Sequence, residues 1–183
     1  TITPIAQIGN PKPRIFRYPK DSNIRNSMGF PNAGKRKILA NASAYRGDTT
    51  LGANIGKNKL SDGEKVFTDY AELYQEFAPI SDYLVINVSS PNTPGLRALQ
   101  DRDFLEKILE AIKPHHQKVT KPLFIKIAPD INDNQLKDFV DMALKFKLAG
   151  VVATNTTIDH RLGPGGLSGK CLKEKSAQVR FKL

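Results

Sequence analysis

Four short apolar runs, each separated from the next by a stretch of helical periodicity, constrain the fold of this 183-residue chain more than any other feature. Thr50-Leu51-Gly52-Ala53-Asn54, Tyr83-Leu84-Val85-Ile86-Asn87, Leu123-Phe124-Ile125-Lys126-Ile127 and Gly150-Val151-Val152-Ala153-Thr154 read as buried strands. Between them, Phe67, Tyr70, Ala71, Tyr74 and Phe77 recur at helical spacing, as do Phe104, Leu105, Ile108, Leu109 and Ile112. Leu136, Phe139, Val140, Ala143 and Leu144 make a third stripe. Ser61 with Glu64 predicts a capping box for the first helix, Pro114 a stop for the second, and Asn132 or Asp133 a cap for the third. Parallel strands need long crossovers, so this alternation predicts successive βαβ units and a parallel sheet.

Every strand runs into polar residues at its carboxyl end: Asn54, Asn87, Lys126, and the Thr154-Asn155-Thr156 run. Doubly wound sheets and (β/α)8 barrels both bind ligands at that edge. Four successive polar ends favour a barrel, because a doubly wound sheet concentrates them at one switch point. No GxGxxG or Walker loop follows any strand. The longest polar end is Asn87-Val88-Ser89-Ser90-Pro91-Asn92-Thr93, whose hydroxyls and carboxamides have no core to fill and suit a small, flat, polar ligand. On residue type alone, Ser90 also reads as a turn cap before Pro91, the loop asparagines as turn formers, and Lys126 as a solvent-facing strand end.

Composition narrows the class of protein. No apolar run approaches the ~18–20 residues that span a bilayer, and no signal-peptide pattern opens the chain. Thr1 at the first position suits a processed chain or a piece of a longer one. The single Cys171 excludes an internal disulfide framework. The net charge of +10 is spread along the chain without a nucleic-acid-binding signature, so solvated loop charge is expected and no nucleic-acid partner. No metal site is expected. Residues 1–48 are rich in Pro, Gly and Asn with little periodicity, and predict a long ordered loop or excursion anchored by Phe16, Tyr18 and Phe30.

Several motifs, in order, resemble the dihydroorotate dehydrogenase family: residues 87–93 continuing through Pro94-Gly95-Leu96-Arg97, Lys126-Ile127-Ala128-Pro129-Asp130, Thr154-Asn155-Thr156-Thr157, and Gly165-Gly166-Leu167-Ser168-Gly169. Thr1-Ile2-Thr3-Pro4, Gly9-Asn10-Pro11-Lys12-Pro13-Arg14, Phe16-Arg17 and Asn26-Ser27-Met28-Gly29-Phe30 resemble its quinone-dependent, membrane-associated class. The resemblance implies a (β/α)8 barrel, FMN as cofactor, and oxidation of dihydroorotate to orotate with a quinone as acceptor. It makes Ser90 the proton-abstracting base. The soluble class has Cys there, so Ser90 points to the quinone class. By the same resemblance Asn26, Asn87, Asn92, Asn155 and Thr156 hold the substrate, and residues 27–30 (Ser27, Met28, Gly29, Phe30) cover it. Thr1, Asn54, Asn87, Lys126, Thr154, Ser168 and Gly169 face the flavin, and Arg17 lies near the quinone tunnel. An ammonium such as Lys126, costly to bury unpaired, suits the electron-rich edge of a flavin.

Against that family pattern the barrel is incomplete. The first strand, most of the second and the last two are expected to lie outside these residues, as are the membrane-docking helices. The chain then divides into a loop region 1–48, βα units over 49–176, and an atypical tail 177–183, all in one partial barrel domain. The link from Thr157 to Gly165 is short for the family. Localisation follows the class: the cytoplasmic face of a bacterial inner membrane, or the mitochondrial inner membrane. Without the phosphate-binding strands, the isolated chain is expected to bind FMN weakly and turn over little dihydroorotate.

Overall fold

The computed structural model describes residues 1–45, 47–93 and 95–183. Its centre is a four-stranded parallel sheet of β3 (Gly52–Ile55), β4 (Tyr83–Asn87), β5 (Leu123–Ile127) and β6 (Gly150–Ala153), paired in that order. Ile2 bridges Ile55 in parallel and extends the sheet beyond β3. Helices α2 (Gly63–Phe77), α3 (Arg102–Lys118) and α4 (Asp133–Lys145) connect the strands. This is an arc of a (β/α) barrel, as the alternation predicts.

The pairing register sorts the two faces of the sheet. Ala53 pairs with Leu84, Ile55 with Ile86, and Ile86 with Ile125, and all join the buried core with Leu105, Ile108, Phe139 and the aromatic face of α2. Side chains alternate along a strand. Asn54, Asn87 and Lys126 therefore fall on the opposite face, which the helices do not cover, and Asn87 pairs directly with Lys126. Val85, Phe124 and Val152 share that inner face, so the inside of the arc is apolar along its length and polar at its carboxyl edge.

Three helix expectations need correction. Ser61 does not cap α2. Its hydroxyl donates to Asp69 Oδ2 at 2.6 Å, and Asp62 takes the N-cap position without a side-chain cap bond. Pro114 does not end α3, which continues to Lys118. The proline is exposed, so water can take the carbonyl it frees, and Tyr74 anchors the last turn through His116 Nδ1 (2.6 Å) and the Val119 carbonyl (2.9 Å). In α4, Leu144 is 73% exposed, and Met142 takes the buried place.

The α4 cap is the expected one. Asn132 Oδ1 accepts the Gln135 N–H at 2.9 Å, and Gln135 Oε1 accepts the Asn132 N–H at 3.1 Å. Replacing Asn132 by alanine is expected to cost about 1 kcal/mol. Thermal unfolding should show this as a fall of roughly 2–4 °C in Tm. An unchanged Tm would mean the box contributes nothing.

The first 48 residues are more regular than a loop. Strands β1 (Ile15–Tyr18) and β2 (Asn23–Asn26) form a hairpin, and β2 pairs antiparallel with β7 (Gly166–Gly169). Arg25 is buried there, 4.1 Å over the Phe16 ring, and donates to the Pro164 carbonyl. Helix α1 (Gly34–Ser43) follows, tied to α2 by Lys35 on Glu72 and Glu76. The end of the chain is helical too, in α5 (Lys173–Lys182), with Val179 buried. Among the described residues no helix is long and apolar enough to cross a membrane.

Candidate active site

The carboxyl ends of the parallel strands carry one continuous hydrogen-bonded network. Thr1 Oγ1 donates to Asn54 Oδ1 at 2.6 Å. Asn87 Nδ2 donates to Thr1 Oγ1 (2.9 Å) and to Asn54 Oδ1 (3.2 Å). Asn87 Oδ1 in turn accepts the N–H and hydroxyl of Ser89 at 3.2 and 3.1 Å. Asn155 Nδ2 reaches Ser89 Oγ at 3.0 Å. The buried Tyr70 hydroxyl secures the base of the network by donating to the Asn87 carbonyl at 3.0 Å. Burial pushes the Tyr70 pKa up, so that hydroxyl remains a donor.

Ser90 is 5% exposed, and its hydroxyl accepts the Asn92 N–H at 3.2 Å. The turn-capping geometry that its residue type allows is therefore present, and it leaves the Ser90 proton undirected by that bond. Asn92 Nδ2 donates to Asn26 Oδ1 and to the Asn26 carbonyl at 3.3 and 3.2 Å, bringing the Ser90 turn against the end of β2. Residues 27–30 continue from there, held by Gln7 Nε2 on the carbonyls of Gly29 and Phe30, both at 3.1 Å. Gly29 has φ +68°, and a Cβ there would lie 2.7 Å from Asn10 Cγ, so this tight turn needs glycine.

Lys126 is half-buried and makes no hydrogen bond or ion pair among the described residues. Burial lowers its pKa from the ordinary lysine value. Two more polar atoms close in sequence to the network, Thr154 Oγ1 and Thr156 Oγ1, are buried with no hydrogen-bond partner among the described residues. Gly166 packs closely here, for a Cβ on it would lie 1.9 Å from Thr156 Oγ1 and 3.0 Å from Pro91 Cγ. Ser168 and Gly169 stand apart. Ser168 Oγ donates to the Ile24 carbonyl at 3.3 Å within the small antiparallel sheet, and neither residue bonds to the strand-end network. Pro94 of the long motif lies outside the described residues.

Four residues inside the quoted motifs had no individual role in the sequence reading. Ser89 links Asn87 to Asn155. Thr93 has a buried hydroxyl with no partner among the described residues. Arg97 and Asp130 form an ion pair at 2.9 Å beside the Ser89 turn. Burial alone would raise the Asp130 pKa, but hydrogen bonds from Lys175, Thr157, the Ile158 N–H and Arg97 lower it to about 2. A partly buried Arg–Asp pair needs its charges satisfied, and the available signal was a lone Arg97 and a lone Asp130 beside apolar or turn residues just past two strand ends. A cleft of about 420 Å³ along Pro129, Asp130, Asn132, Gln135, Ile158 and Lys175 lies outside the network and includes none of its carboxamides; Asn132 and Gln135 belong to the α4 cap.

A parallel strand arc with helices on one face and ligand-type polar groups at the carboxyl ends defines a (β/α)-barrel protein with its site at the usual edge. The sequence matches the dihydroorotate dehydrogenase family over residues 1–183, and the chain belongs to that family. A dihydroorotate dehydrogenase (quinone) of Corynebacterium striatum is 44% identical over 194 residues, covering 100% of this chain and 53% of that protein. One from Mycobacterium tuberculosis is 42% identical over 192 residues, with the same coverage of 100% and 53%. The ligand-free DHODH of Eimeria tenella superposes with a TM-score of 0.91 at 38% identity, over 98% of this chain and 58% of that one. Its complex with ferulenol gives 0.89 at 38% identity, over 100% and 57%. The chain spans about half the length of the curated relatives it matches.

Proposed function

We propose that the protein serves FMN-dependent oxidation of dihydroorotate to orotate, with a quinone as electron acceptor, in de novo pyrimidine synthesis. The carrying observation is the helix-free face of the sheet. There an unpaired, half-buried ammonium (Lys126) pairs in register with Asn87, next to the Asn54–Asn87–Ser89–Asn155 network. Unpaired buried groups in a native fold call for a partner.

That donor set suits a flavin. Thr1, Asn54, Asn87, Lys126 and Thr154 would hold it, with Ser168 and Gly169 at the margin. Bound there, it supplies a two-electron acceptor for hydride from a substrate carbon. Asn26, Asn87, Asn92, Asn155 and Thr156 would bind the substrate's carboxylate and ring amides, because carboxamides offer both donors and an acceptor. Ser27, Met28, Gly29 and Phe30 form the cover that limits water. Ser90 takes the proton from the neighbouring carbon and must release its own. A hydroxyl is a weak base, so that release needs a relay, and the unpartnered Thr93 hydroxyl, three residues along the same segment, offers one. The Lys126 charge stabilises negative charge developing opposite it.

The named relatives support quinone as the acceptor, and Arg17, on the exposed side of β1, is assigned to its path. A peripheral position on a bacterial or mitochondrial inner membrane follows from that acceptor, and no nucleic acid is involved. The test is direct. The full-length protein that carries these residues, supplied with FMN, should bleach anaerobically on adding dihydroorotate and recover its flavin absorbance with a quinone, but not with fumarate or NAD. Flavin that dihydroorotate leaves oxidised would reject the reading; recovery with fumarate or NAD would move it to another class.

A further inference from the structure

The Ser90 turn follows β4 and the Asn155–Thr157 segment follows β6, two strands across the sheet, yet a single ionic cluster joins them. Arg97 Nε donates to the Ser89 carbonyl (3.3 Å), Nη1 to Asp130 Oδ2 (2.9 Å) and Nη2 to the Thr156 carbonyl (2.8 Å). Asp130 Oδ1 accepts the Thr157 hydroxyl (2.5 Å) and Lys175 Nζ (2.6 Å), and Oδ2 also accepts the Ile158 N–H (2.9 Å). The Arg97 and Asp130 side chains are only 19% and 14% exposed.

We propose that Arg97 and Asp130 are positioning residues: they lock the Ser89–Ser90 turn to the Asn155–Thr157 segment so that both address one ligand. The ligand's identity rests on the function proposed above; the clamp does not. Every bond of the pair other than the one to Lys175 ends on a strand-end loop. An exposed ion pair adds little, whereas here one planar guanidinium meets acceptors on three different loops, which a lysine point charge cannot do. Just beyond the clamp, Asn155 Nδ2 reaches Ser89 Oγ at 3.0 Å. That contact survives only while the two segments keep their spacing, and an error of about 1 Å at such a site is costly.

The test uses the full-length protein that carries these residues, labelled with 15N. The side-chain amide signal of Asn155 and the Kd for orotate are read in wild type, Arg97→Lys and Asp130→Asn. Lys35→Met is the control, since it removes ion pairs to Glu72 and Glu76 between outer helices. We expect both clamp variants to shift the Asn155 amide signal and to weaken orotate binding about tenfold or more. The control should lower Tm while leaving both readouts in place. Clamp variants that lose Tm like the control, with the Asn155 signal and orotate Kd unmoved, would overturn the proposal. If Asp130→Asn fails to fold, Arg97→Lys decides alone. If even wild type binds no orotate, the functional reading falls, and the Asn155 signal still decides the clamp.

Discussion

Ser90→Ala is expected to slow bleaching of the FMN-supplied protein by dihydroorotate about 10²–10⁴-fold while orotate still binds. The magnitude is that of removing a positioned proton acceptor. Orotate affinity should survive because the carboxamides that would hold it are supported elsewhere. Asn87 is braced by Thr1, Asn54 and Ser89, and Asn92 by Asn26. The variant also loses the bond from the Asn92 N–H, which costs about 0.5–1.5 kcal/mol of stability. Stopped-flow reduction and a thermal melt together separate the two roles. A melt that falls by that amount with bleaching slowed less than about tenfold would leave Ser90 only its turn. Ser90→Cys adds a second reading, because a thiol ionises near pH 8.5. Its reduction rate should level off at lower pH than the wild-type rate.

The second large effect carries opposite signs in two measurements. Lys126→Met is expected to raise the stability of the ligand-free protein and to slow flavin reduction about 10²–10³-fold. The stability gain follows from the half-buried ammonium, which has no partner among the described residues and whose pKa burial lowers from 10.5. The sign with pH is definite. Below its folded pKa the lysine is charged in the fold and carries the full burial cost. As pH rises through that value towards 10.5 the unfolded chain holds the extra proton, and stability climbs. The advantage of Lys126→Met should therefore be largest at neutral pH and shrink in alkali, as chemical denaturation at several pH values would record. The rate loss follows from removing the cation opposite the developing charge. A variant both less stable and equally fast would show that Lys126 is only a strand-end residue.

Much of this site is readable along the chain. Asn54, Asn87 and Lys126 follow apolar runs, and their place at strand ends needs only the period of two and the chain direction. The strand Leu123–Ile127 has the boundaries its residues predict. Other features have no local signal. Asn23 pairs with Gly169 across most of the chain, so the hairpin over residues 15–26 had no partner in its own neighbourhood to mark it as sheet. Ser61 carries a capping pattern, yet it turns to Asp69 because a buried carboxylate one helical stretch away needs a donor. Pro114 is a helix breaker by its chemistry, but it lies on the exposed side of a helix that Tyr74 holds from outside.

The alternation of apolar and helical stretches was sufficient for the parallel strand arc and for a row of polar residues at its carboxyl edge. Those properties depend on side chains only a few positions apart, where spacing dictates which face each occupies. Which of the polar residues meet was decided by the tertiary structure alone. Asn87 reaches Thr1 across 86 residues, and Arg97 reaches Asp130 across 33 and Thr156 across 59. Contacts over such separations leave no period in the sequence. They come from register and loop closure, and these bring Ser90 and Asn155 to one side of the sheet and place a guanidinium and a carboxylate where they can hold them.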